Sequence, residues 1–214
     1  MTVAALVLML FVGPAAAAVD VDLKPYADAE RAGAAVGVTG RAYAERRKPD
    51  APDTPLAGAT VVALPRSEAL LRRLQQLREG ARGSAPAYKD AAGLMQKARE
   101  AYERELWEAG AADLVRATVV DASGRFDLGR LPEGRWIIVG TWDQRLDARA
   151  PKPGRKERET YVQTPRLVGF RSRLVWLQDV DVSRTERPEL RLTDRNVWFT
   201  GVVEERVLDA GPRR

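Results

Sequence analysis

Between residues 57 and 141 the hydrophobic period of this chain changes twice, and that limits the folds open to it. The run Ala59-Thr60-Val61-Val62-Ala63-Leu64 has the β-branched, apolar character of a buried strand, and Pro65 ends it. Helical spacing follows. Ser67 is a good N-cap, Leu70, Leu71, Leu74 and Leu77 share one face, and Gly80 stops the segment. Ser84 and Pro86 open a second helix. Its stripe is Ala91, Leu94, Met95, Ala98, Ala101, Tyr102, Leu106 and Trp107, and Gly110 ends it. The opposite side carries Lys89, Asp90, Lys97, Arg99, Glu100, Glu103 and Arg104. Strand-like runs then return at 114–120, 125–128 and 135–141. Neither helix is expected to be stable alone in water, because its amphipathic stripe needs a partner. The expected solution is an αα-hairpin, residues 66–110, inserted into a mainly-β framework and packed on it.

The rest of the chain reads as strands and turns. Val19, Val21 and Leu23 alternate with charged residues, which predicts an edge strand over 19–27. Residues 35–43 form a better strand. Residues 45–55 hold three prolines at short spacing and read as loop. Asp121-Ala122-Ser123-Gly124 and Leu131-Pro132-Glu133-Gly134 are turns. The nearly continuous apolar run 135–141 places that strand in the middle of a sheet. Residues 143–165 are weakly structured by pattern, with a short strand at 159–162. Further strands are expected at 167–170, 174–177, 180–183, 190–193 and 197–203. On the last, alternation sends Trp198 and Phe199 to opposite faces. Residues 19–210 thus form one β-sandwich domain of about seven strands with the helical insertion, followed by a tail at 211–214.

The 214 residues include no Cys and no His. This excludes thiol and imidazole catalysis, disulfides, and Cys or His metal sites. Residues 1–18 have an apolar run, a Gly-Pro break and Ala16 and Ala18 before Val19. They read as a secretory signal, although no Lys or Arg precedes the run. The expected location is periplasmic or secreted, with no transmembrane segment once the signal is cleaved. The formal charge is +5 with both signs interleaved, and export argues against a nucleic-acid partner. The one local basic excess, 151–158, reads as a solvated loop.

Two phrases in the framework resemble a known family. Val38-Thr39-Gly40-Arg41, then Pro55-Leu56-Ala57-Gly58-Ala59-Thr60-Val61, resemble the opening of carboxypeptidase regulatory-like domains. Ala42 stands where that pattern has a second Val. Thr118 to Asp121, Gly124-Arg125-Phe126 and Leu131-Pro132-Glu133-Gly134 with Trp136 resemble the next landmark, with Ala122 and Ser123 separating Asp from Gly. The resemblance covers residues 35–141 apart from the hairpin, and the hairpin is its main departure. It implies a prealbumin-like Greek-key β-sandwich, similar to collagen-binding B-type domains, in a non-catalytic accessory module.

No enzyme motif assembles. There is no nucleophile elbow, P-loop or dinucleotide fingerprint, and a Ser-His-Asp triad is impossible. Asp179 and Asp181 share one strand face, but the expectation is a solvated face, with no metal site and no cofactor. Two sets of residues remain as binding candidates. Arg72, Arg73, Gln76, Lys97 and Arg104 on the outer side of the hairpin suit an envelope or extracellular protein partner, with an acidic one favoured. Trp142, Trp176 and Trp198 suit carbohydrate.

Overall fold

The computed structural model describes residues 19–48, 50–146, 166–185 and 188–207. The signal-like segment, the basic loop at 151–158, the strand expected at 159–162 and the tail lie outside these.

The apolar run around Ile137 belongs to β6 (Gly134–Leu146), the middle strand of a five-stranded sheet. On one side it pairs antiparallel with β3 (Thr60–Pro65), which in turn pairs with β4 (Arg116–Val119). On the other side it pairs with β7 (Arg166–Val182), which pairs with β9 (Phe199–Val207). A four-stranded sheet is built on β1 (Ala35–Ala44). Antiparallel to it run β2 (Thr54–Pro55) and β5 (Arg125–Pro132), and β8 (Glu189–Thr193) runs parallel.

Side-chain alternation divides the large sheet between two cores. Trp136 and Ile138 of β6, Val61 and Ala63 of β3, and Trp176 of β7 meet Val38, Phe126, Leu128, Leu131 and Leu192 of the small sheet. Their neighbours Ile137, Val139, Val62, Leu64 and Val175 point the opposite way, onto the helices. Covering both faces explains why β6 lacks a polar side. The molecule is therefore three layers: small sheet, large sheet and helical hairpin.

The hairpin is α2 (Glu68–Gly80) and α3 (Ala85–Glu108). Ser67 Oγ accepts from Leu70 N at 2.9 Å, and Asp20 Oδ2 accepts from Ala69 N at 2.7 Å, so two N-terminal amides of α2 are satisfied. The hairpin lies flat. Leu70, Leu74, Ala91, Ala92, Met95, Tyr102 and Leu106 are buried against the sheet. A Cβ on Gly201 would stand 2.7 Å from that of Ala92, so a glycine lets α3 approach β9 this closely. Tyr102 donates its hydroxyl to Pro65 O at 3.1 Å. Arg173 forks onto Asp143 at 2.6 Å through both nitrogens, and its third nitrogen donates to Gln96 of α3.

Several expectations are corrected. The described residues hold nine strands rather than about seven. The segment expected as an edge strand contains a helix, α1 (Lys24–Arg31). Pro25 in its first turn and the Lys24 and Arg31 pairings with Asp28 favour helix over a three-residue alternation. It wedges Tyr26 edge-on against Trp136, with ring centroids 5.3 Å apart. β6 continues through 143–146, which the pattern left unstructured. The three strands expected between 167 and 183 are one continuous β7. Leu94 and Trp107 do not join the α3 stripe, because the buried line follows 91, 95, 98, 102 and 106. Trp107 turns about 100° past Leu106, and is 74% exposed.

Candidate functional site

The turn at Asp194-Arg195-Asn196 is held from within. Asn196 Oδ1 accepts from Thr193 N at 2.7 Å, and Asn196 Nδ2 donates to Arg191 O at 2.7 Å. The chain emerges at Trp198, whose backbone N–H donates to Val175 O at 2.9 Å. Regular β9 begins only at Phe199. Trp198 thus stands outside the strand's alternation, and both aromatics pack toward the hairpin rather than to opposite faces. Phe199 is buried against Tyr88, while Trp198 is half-buried.

Leu71, Gln75, Arg78 and Arg82 follow at helical spacings of four, three and four along α2 and its end, and therefore share a face. That face borders a trough centred on Trp198. Two open hollows meet there. One, of about 490 Å³, is lined by Arg78, Ala81, Arg82, Tyr88, Asp194, Val197, Trp198, Phe199 and Thr200. The other, of about 420 Å³, is lined by Leu71, Arg72, Gln75, Gln76, Leu177 and Trp198.

The Arg78 guanidinium lies over the indole, 4.9 Å from the ring centre. Gln75 donates to Glu79 Oε1 at 2.7 Å. Among the described residues the one carboxylate in the lining is Asp194, and its Oδ1 already accepts from Glu45 N at 2.8 Å. Among the described residues, Arg72 and Arg82 make no ion pair. The indole N–H of Trp198 likewise has no acceptor there. The other tryptophans on strands differ: Trp136 donates to Pro132 O, Trp142 to Ala57 O and Trp176 to Thr193 O.

The trough brings together Trp198, Arg72 and Gln76 from the expected site residues. Trp176 is a correction. It is fully buried between the sheets with its N–H satisfied, so it cannot reach a ligand. Trp142 is half-buried on the sandwich side, away from the trough. Arg73, Lys97 and Arg104 are exposed on the hairpin but do not line it. Arg78, Arg82 and Tyr88 were not singled out from sequence; the register of Arg78 and Arg82 with Leu71 and Gln75 was the available signal.

Among the described residues, no three Asp or Glu side chains cluster to hold a metal ion. Asp179 is engaged by Arg66 at 2.5 Å and Arg135 at 3.4 Å. Burial pushes the hydroxyls of Tyr102 and Tyr26 above the ordinary tyrosine range. Both therefore serve as neutral structural donors, Tyr26 to Arg135 O.

No protein-family model matches the chain, and no curated protein sequence matches it. Among solved structures it is similar to a Pseudomonas aeruginosa protein described as a candidate carbohydrate-binding protein. That likeness has 14% identity and a TM-score of 0.43, and covers 75% of this chain and 88% of the other.

Proposed function

We propose that the protein is a non-catalytic, exported carbohydrate-binding module, and that its ligand lies in the trough beside α2. The observation that carries this reading is Trp198: a half-exposed indole whose N–H has no acceptor among the described residues, at the junction of two open hollows. A sugar offers apolar C–H faces and many hydroxyls. An aromatic ring suits the first, while Gln76, Arg72 and Thr200 suit the second. The hollows are open, as an extended chain of sugars would require.

The framework is best read as a prealbumin-like Greek-key sandwich of the carboxypeptidase regulatory-like kind. Gly58 and Gly124, which carry that resemblance, both take φ +80°, a conformation suited to glycine. No helix among the described residues is long and apolar enough to cross a membrane.

The test is a glycan array probed with the full chain and with Trp198→Ala, using Trp107→Ala as a control. Loss of glycan binding in Trp198→Ala alone supports the reading. Binding to no glycan, or equal binding by both variants, sinks it.

A second reading has its own observation. Lys97, Arg104 and the exposed Trp107 lie on one side of α3, a composition that suits docking of an envelope or extracellular protein. Crosslinked partners lost on Trp107→Ala and kept on Trp198→Ala would favour it.

A further inference from the structure

Building on the carbohydrate reading of the trough, we infer that its ligand is an acidic glycan, one bearing carboxylate or sulfate groups. The first reason is the placement of Arg78. Its guanidinium occupies an indole face on which a neutral sugar would stack, and a neutral ligand would have to displace it. An anionic sugar can use the same group where it stands, with the indole holding the planar fork in place.

The second reason is the distribution of charge. Arg72 lines one hollow, Arg82 the other, and Arg78 stands between them beside Trp198. Arg72 and Arg78 are separated by ~9 Å of helix rise, so the cations follow the length of the trough rather than clustering at one point. Arg72 and Arg82 have no ionic partner among the described residues. Asp194, the one carboxylate of the lining among the described residues, is directed at the Glu45 amide. Repeated anions along a polysaccharide suit cations distributed between the two hollows in this way, whereas a single small anion would engage only one end.

The experiment titrates the full chain against polygalacturonate, chondroitin sulfate, a neutral glucan and single-stranded DNA, before and after Arg72→Gln/Arg82→Gln. Both positions are exposed, so the double variant should keep the native circular dichroism spectrum. The expected result is tighter binding of an acidic glycan than of the neutral one. It should weaken about tenfold or more in the double variant, as loss of charge-assisted hydrogen bonds requires. The galacturonate and sulfate arms separate the two anion chemistries. Equal or tighter binding of the neutral glucan, unchanged in the double variant but lost in Trp198→Ala, overturns the acidic preference and leaves the carbohydrate reading standing. Equal binding of DNA also overturns it, reducing the trough to general attraction for polyanions. Binding of none of the four overturns both.

Discussion

Tyr102 ties the hairpin to the sheet through one buried hydrogen bond, to Pro65 O. Tyr102→Phe keeps the ring and removes the donor. It should cost about 1–3 kcal/mol, the upper value applying if the carbonyl is left unsatisfied, and a urea titration would register the loss. Asp121 works at the opposite edge of the chemistry. Its Oδ1 accepts from Arg125 N, Ser123 Oγ and Ser123 N across the turn that leads into β5. These hydrogen bonds hold its carboxyl below the ordinary aspartate range. A lowered folded-state value means that Asp121 stabilises the fold above the ordinary range, and that the contribution disappears as pH falls through the folded value. Asp121→Ala should therefore lower the urea midpoint at neutral pH, with a gap that narrows as pH falls below the ordinary aspartate range. A gap of constant size would show that the charge is not involved. At this scale the sequence marks Trp198 as a candidate and is silent on Arg78 and Arg82. An aromatic beside a strand is visible in one dimension. The helix face it will meet is a tertiary fact.

The packing of α3 on β9 depends on a position with no side chain. Gly201→Val places a branched group where a Cβ would already stand 2.7 Å from Ala92. The expected cost is about 1–3 kcal/mol, and Gly201→Ala should be partly rescued by Ala92→Gly, since the two positions touch. Independent effects in that double-mutant cycle would argue against the close approach. The helical pair was legible because a period of 3.6 interrupts a period of 2 over many residues, and its caps sit where Ser67 and Ser84 predict. α1 was not legible, because the three alternating apolar residues just before it, Val19, Val21 and Leu23, imitate a strand, and the helix-favouring Pro25 and the Lys24 and Arg31 pairings with Asp28 carry less weight in one dimension than that alternation. β7 was seen only in pieces. Gly169, Arg171 and Arg173 interrupt its apolar pattern, yet the arginines are paired with Glu205 and Asp143 across the ladder and do not end the strand.

For the molecule as a whole, the hairpin is a structural layer. Replacing residues 66–110 by a short loop would bare Val62, Leu64, Ile137, Val139, Val175 and Phe199 together. A patch of that kind invites aggregation. The truncated protein should precipitate, or bind a hydrophobic dye strongly while still showing strand signal by circular dichroism. A soluble, dye-negative truncation would mean that the sandwich is complete without its helices. The large sheet lies between two cores, and this also governs how freely its sequence can drift. An ordinary sandwich strand tolerates change at every second position, where its side chains meet water. Over residues 136–139, β6 has no such position, because each side chain is enclosed on one side or the other. A saturation-mutagenesis profile should therefore be flat and intolerant across these four residues, while β1, with one wet face, alternates between permissive and forbidden sites.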